Sequence, residues 1–428
     1  MEGSSLTADM LADLEPPHEV RLSPSAKHAV YTLRSDWNRP KGNWVSSLWI
    51  VKIGNRHSAR QLTPGESNDS WPQFSPDGSS IAFLSNRASE GVTGVWLLDL
   101  GSGDVIPLTP TGQGKSVYKF AWSRDGKYIA YLSADETSEE QRARYERKDD
   151  PIVYGQDWEY ARLRTIEVAT KKVNTVVSSN FHVYDFAFSP DSKSLAYATA
   201  KTPESASAET NGTSLAVVPL EDRSVVNLSH FPGQINDLCW ISSGLWWRGI
   251  YDSKTILSSK TVYNLSLDTK EWSRHAFGEN NCASTWALPP GLQQASDSTI
   301  VAEVQHGLAD QLHALPEGTL LHDELREIRG FDAVFKDGNV VLTVVKSSGS
   351  SPNELYSIVN GETVQLSNHG EDIAKLEIAT AEPFYAKAQD GTELDGVLVT
   401  PKNYKRTQAM ANRRRRSWWA VSENFLWF

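Results

Sequence analysis

The side chains that could do chemistry in this 428-residue chain include ten histidines, two cysteines and fifty-three acids, and their spacing limits what they can do. The sequence contains no H-E-x-x-H for zinc, no C-x-x-C pair and no G-x-x-x-x-G-K-[ST] to cradle a phosphate. It also lacks G-x-S-x-G, the turn that would present a serine Oγ beside oxyanion donors. Asp149-Asp150 is an adjacent acid pair in a Glu/Arg-rich stretch and reads as solvated rather than catalytic. No nucleophile stands beside a base at a recognisable interval, so no cofactor, metal or covalent mechanism is expected from the motifs. The end of the chain, "NRRRRSWWAV", sets four arginines beside two tryptophans, the pattern of nucleic-acid or anionic-membrane contact.

The charge balance argues against such contact for the body. The formal net charge is -11, and residues 405–428 carry six Lys/Arg against one acid, so residues 1–404 stand at -11 - 5 = -16. An acidic body disfavours general nucleic-acid binding. No stretch approaches the roughly 18 apolar residues of a membrane span, and the N-terminus has no basic segment followed by an apolar one. Only Cys239 and Cys282 occur, which suits a reducing compartment. A cytoplasmic protein with no nucleic-acid or membrane partner is expected.

The elements that must position any site repeat along the chain. "QFSPDGSSIAFLS" (73–85), "AWSRDGKYIAYLS" (121–133), "AFSPDSKSLAYAT" (187–199) and "RLSPSAKHAVYTL" (21–33) superimpose as an anchor residue, a tight polar turn and an alternating apolar run. In Ser75-Pro76-Asp77-Gly78 proline presets φ, Asp follows and Gly takes the last position, a type I turn pattern. The period-two alternation after it is that of a strand with one buried face. Each copy runs on into a second hairpin, so the unit is about four short strands. Weaker copies at 239–249, 285–295 and 334–345 extend the anchor series to Leu22, Phe74, Trp122, Phe188, Trp240, Trp286 and Phe335. Repeats of about 40–50 residues in four strands predict a β-propeller, here all-β and seven-bladed. The long interval, between Trp122 and Phe188, holds the charged excursion 134–163, with a short helix expected within 137–149.

The "FSPDG" blades, the "DWEYARL" insertion and "YAKAQDGTELDGVLVTPKNY" (385–404) together resemble the prolyl oligopeptidase family of serine peptidases, in its dipeptidyl-peptidase V and acylaminoacyl-peptidase branch. The resemblance implies an N-terminal propeller that gates short peptides towards an α/β-hydrolase domain, whose first strands read like 385–404. It also implies a substrate clamp at Asp157-Trp158-Glu159-Tyr160, where family dipeptidyl peptidases follow D-W-x-Y with two glutamates. Here Ala161-Arg162 stands in their place. Trp158, Glu159, Tyr160 and Arg162 are therefore the candidate substrate-binding residues, with Glu159 substituting for the missing pair or Arg162 facing a carboxylate or carbonyl.

The expected organisation is an N-terminal segment 1–19, the propeller 20–374, the first strands of an incomplete hydrolase domain 375–404 and an aberrant basic and aromatic tail 405–428. After "DGTELDGVLVTPKNY" that tail shows neither strand alternation nor helical period, and reads as translated intron or frame-shifted sequence rather than a binding arm. Without the triad, the chain is expected to hydrolyse nothing, and the unpaired strands of 375–404 to favour self-association. The alternative is a stand-alone propeller acting as an interaction scaffold.

Overall fold

The computed structural model describes residues 6–35, 44–110, 115–135, 139–149, 154–155, 158–177, 180–252, 254, 258–278, 281–283, 291–324, 327–336, 338–349, 351–376 and 378–400. Seven antiparallel sheets follow one another from Pro17 to Gln365, and a separate two-stranded hairpin, Thr380–Lys387 with Glu393–Thr400, comes after them. The chain is a seven-bladed β-propeller. Six blades are four-stranded meanders, and the sixth adds the short pair Asn281–Cys282 at its edge.

The repeated turn explains why each blade starts as it does. Ser75 N–H donates to Ser80 O at 2.8 Å and Gly78 N–H to Ser75 O at 2.8 Å, and Gly78 sits at φ +75. That is a type I turn followed by a left-handed residue, the geometry that closes a short hairpin with a bulge. Asp77, Asp125 and Asp191 accept N–H groups of their own turns, from Ser79, Lys127 and Lys193. Hydrogen bonds of this kind hold all three carboxyls below the usual range; at Asp77 and Asp191 the seryl hydroxyls of Ser75 and Ser189 contribute most, and at Asp125 Ser123 works against burial.

The sixth blade departs from the sequence reading. Its innermost strand is Leu292–Gln294, paired with Ile300–His306, and its tight turn is closed by Ala295 N–H on Thr299 O. Gln294, paired with Ile300 as Phe74 is with Ile81, holds the anchor position there; Trp286, the expected anchor, lies outside the described residues. Phe335 does end an innermost strand, but it is 44% exposed where Phe74 and Phe188 are buried.

Every blade buries its faces against the next. Seven apolar clusters each join two consecutive blades, from Val30, Leu48 and Ile50 against Phe74, Ile81 and Phe83, round to Val20, Leu22 and Tyr31 against Val341, Val345 and Leu355. The last of these closes the ring. Among the described residues no strand is exchanged there: the first blade is built from residues 17–61 and the seventh from 327–365.

The innermost strands carry a second device. Their pairing slips at His18/Arg21, Ser70/Gln73 and Asn236/Cys239, and in those bulges Glu19, Trp71 and Asp237 adopt φ of 44, 52 and 55. At Glu19 and Asp237 the bulge aims a carboxylate at the next blade, and Asp185 and Asp332 make the same contact without a left-handed residue. Glu19 accepts Trp71 N–H at 2.8 Å, Asp185 accepts Leu238 N–H at 3.1 Å, Asp237 accepts Gly291 N–H at 3.0 Å, and Asp332 accepts Leu22 N–H at 2.6 Å. The fourth of these spans the closing seam.

Candidate functional site

In an antiparallel meander the connection between the second and third strands emerges on the same face as the link to the next blade. The insertion in the third blade, between Tyr128–Ala134 and Ala161–Glu167, therefore opens on the face from which the chain leaves the seventh blade. A Cβ placed on Gly307, in the corresponding connection of the sixth blade, would stand 3.1 Å from Asp395 Oδ2, so the terminal hairpin reaches that face too.

The base of the insertion is set by strand register. Ser133 pairs with Arg162 and Tyr131 with Arg164, so the two arginines, two residues apart, project on one side of the third strand. Asp135, just past the second strand, takes both: Arg162 Nε reaches Oδ2 at 2.7 Å and Arg164 Nη2 reaches Oδ1 at 3.1 Å. Arg164 Nη1 also donates to Ser133 O and Oγ, each at 2.7 Å. Arg162 is buried, donates to Phe181 O at 3.4 Å and lies 5.3 Å from the centre of the Tyr160 ring.

The fourth blade supplies the other wall. Ala161 N–H donates to His182 Nδ1 at 3.1 Å, so Nδ1 is the acceptor and the neutral ring carries its proton on Nε2. Burial and then the Arg162 charge lower the pKa of His182 to about 4. The His182 ring meets Tyr184 edge-on at 4.7 Å, and burial followed by the charges of Glu204 and Glu209 pushes the Tyr184 phenol up to about 12. Glu204 stands at the start of the helix Ser205–Asn211 and accepts the Tyr154 hydroxyl at 2.5 Å.

The sequence-derived candidates occupy distinct parts of this surface. Trp158, half-buried, packs edge-on against Tyr154 at 5.8 Å. Glu159, exposed, pairs with Lys115 at 2.6 Å. Tyr160 lies under Arg162, and Arg162 faces the chain's own Asp135 carboxylate and Phe181 carbonyl. Asp157 lies outside the described residues, as do Asp150 and 401–428, which include the whole tail 405–428. Sequence reasoning missed Asp135, His182, Tyr184 and Glu204, which come from the ends of other strands. Only Pro203-Glu204, a helix-start pattern, carried a local signal.

The arrangement can bind charge, and among the described residues no base is hydrogen-bonded to the Ser133 hydroxyl in it. Ser214 Oγ and His230 Nδ1 lie 3.3 Å apart elsewhere on the fourth blade, exposed, and among the described residues no carboxylate bonds to that histidine. Among the described residues no group of three His, Cys, Asp or Glu is placed to hold a metal, and no helix is long and apolar enough to cross a membrane.

No protein-family model matches the chain. An uncharacterized Bacillus subtilis peptidase, YuxL, is 27% identical over 206 residues, which are 45% of this chain and 31% of that protein. The acylaminoacyl peptidase of Pyrococcus horikoshii superimposes with a TM-score of 0.66 at 14% identity, over 91% of this chain and 58% of that one. Over the matched residues the chain shares the fold of these peptidases. The isolated propeller domain of the Pyrococcus furiosus Trilobed protease, described as having an open velcro topology, matches with a TM-score of 0.57 at 16% identity over 84% of this chain and 97% of that domain. In this chain, among the described residues, packing and polar contacts join the first blade to the seventh. The chain thus spans well under two thirds of the length of the peptidases it resembles.

Proposed function

We propose that this chain is the substrate-gating propeller of a serine peptidase of the dipeptidyl or acylaminoacyl type, acting on short peptides. The observation that carries the reading is the hairpin after the seventh blade. Its apolar side chains stay largely in solvent: Phe384, Tyr385, Leu394, Val397 and Val399 are all between 46% and 67% exposed. They lie on both faces of a two-stranded sheet with no third strand among the described residues, as expected of the first strands of a larger sheet. Trp158, Glu159, Tyr160 and Arg162 are assigned to the peptide-facing surface, on the face where that hairpin lies. The 428 residues hold no G-x-S-x-G, so the chain by itself cleaves nothing. The uncovered hairpin edges pair with those of a second copy at high concentration. Two free cysteines, Cys239 and Cys282, support a cytoplasmic location.

The test is a chromogenic assay of the purified chain with Ala-Ala and acetyl-Ala p-nitroanilides. No release is expected. Release that a serine-directed phosphonate blocks overturns the claim of inactivity, and failure of any short peptide to bind the chain overturns the gating role.

A further inference from the structure

We propose that the cleft between the second and third blades is a carboxylate site, in which Lys115 and Arg164 receive the C-terminal carboxylate of a short peptide and Glu159 is the internal group it displaces. The peptide part of this assignment rests on the function proposed above. The cleft has a volume of about 110 Å³, room for several waters, and its lining includes Lys115, Arg164, Ser133, Thr93, Thr109 and Trp96.

Three observations point to an anion. The first is charge: Lys115, Arg162 and Arg164 face Asp135 and Glu159, so the cluster stands at 3 - 2 = +1 on a body of -16. The second is the unequal hold on the two carboxylates. Asp135 is clasped by two guanidiniums, whereas Glu159 is half exposed and, among the described residues, paired with Lys115 alone. Exposed single pairs contribute little net stability, so Glu159 exchanges readily for another carboxylate. The third is preorganisation. Arg164 is fixed by Ser133 and Asp135, and among the described residues its Nε–H has no acceptor. Thr109, 5% exposed, accepts Val95 N–H at 2.9 Å, and among the described residues its own O–H has no acceptor. Arg164, Lys115 and Thr109 all line the cleft, and each has a donor to offer a carboxylate there. The apolar walls at Trp96 and Val117 suit an anion that carries a side chain.

The test is fluorescence anisotropy with dansyl-Ala-Ala as the free acid and as its C-terminal amide, with acetate and phosphate as competitors. The free acid is expected to bind at least tenfold more tightly than the amide. Glu159→Gln, which removes the internal competitor, should tighten binding several-fold, and Lys115→Gln should weaken it at least fivefold. Both changes lie on exposed or partly exposed side chains, and circular dichroism checks that each variant is folded. A merely structural Lys115–Glu159 pair would not give opposite signs. Equal binding of acid and amide overturns the carboxylate site and leaves the gating function standing. Acetate binding read by quenching of tryptophan fluorescence, Trp96 lining the cleft, with both variant effects intact but no binding of the dansyl peptide, keeps the carboxylate site and overturns the gating function. Phosphate binding more tightly than any carboxylate overturns the assignment of ligand class.

Discussion

Asp332 is the residue on which the polar part of ring closure turns. Its Oδ2 accepts Leu22 N–H at 2.6 Å across a seam with no shared strand, and its side chain is 7% exposed. Asp332→Ala removes a hydrogen bond to a buried carboxylate and leaves the Leu22 N–H without a partner. Such a loss costs about 2–3 kcal/mol. At about 1.4 kcal/mol per factor of ten, the equilibrium for opening the seam should rise about 30- to 150-fold. Amide hydrogen exchange read by mass spectrometry should show this acceleration in peptides from 17–34 and 340–359, with the third to fifth blades unchanged. Asp332→Asn keeps an acceptor for Leu22 and should exchange nearly as the parent does. It should also change the pH response. Burial raises the Asp332 carboxyl above the ordinary 3.8, against the pull of Arg21 and of the backbone N–H groups. An acid with a raised folded pKa contributes stability that is complete below 3.8 and lost as pH rises through the folded value, so Asn should remove that part of the slope. Unchanged exchange in the seam, or an equal rise in every blade, would refute the view that this clasp holds the ring shut.

His369 sits across the same seam, 2.9 Å from Tyr31 Oη and edge-on to Trp49 at 5.0 Å, and burial lowers its pKa from 6.5 to about 4. Its contribution is complete above pH 6.5 and lost as pH falls towards 4, so the urea midpoint of His369→Gln should fall less steeply over that range, the other histidines with lowered pKa, His18 and His182 among them, supplying the slope that remains. Gly244 has φ +122, and a Cβ there would lie 2.2 Å from Leu265 O. Gly244→Ala should therefore cost at least about 3 kcal/mol in denaturant unfolding, against about 1–2 kcal/mol for Gly54→Ala, where φ is also positive but nothing is near.

Much of the architecture was legible because the turn chemistry is local. Ser75-Pro76-Asp77-Gly78 closes on its own hydroxyl, carboxylate and backbone groups, so the same few residues announce a blade start wherever they recur. The sixth blade was less legible because that chemistry is missing there: its turn is Ala295 to Thr299, without proline or glycine. The candidate site was only partly legible. Glu159 and Arg162 are near neighbours in sequence, yet each finds its counter-ion in another connection, Lys115 before the first strand of the blade and Asp135 after its second.

The sequence by itself determined the repeat, the number of blades and the place of the insertion, because alternation and tight turns are decided over a few residues. The tertiary structure decided how the ring closes, which carboxylates clasp neighbouring blades and which cations share a cleft. Those depend on bulges that turn Glu19 and Asp237 towards the next blade, and on partners such as Asp332 and Leu22, 310 residues apart. A bulge costs one residue of register and leaves no mark in the alternation strong enough to read. Only the closed ring shows what it is for.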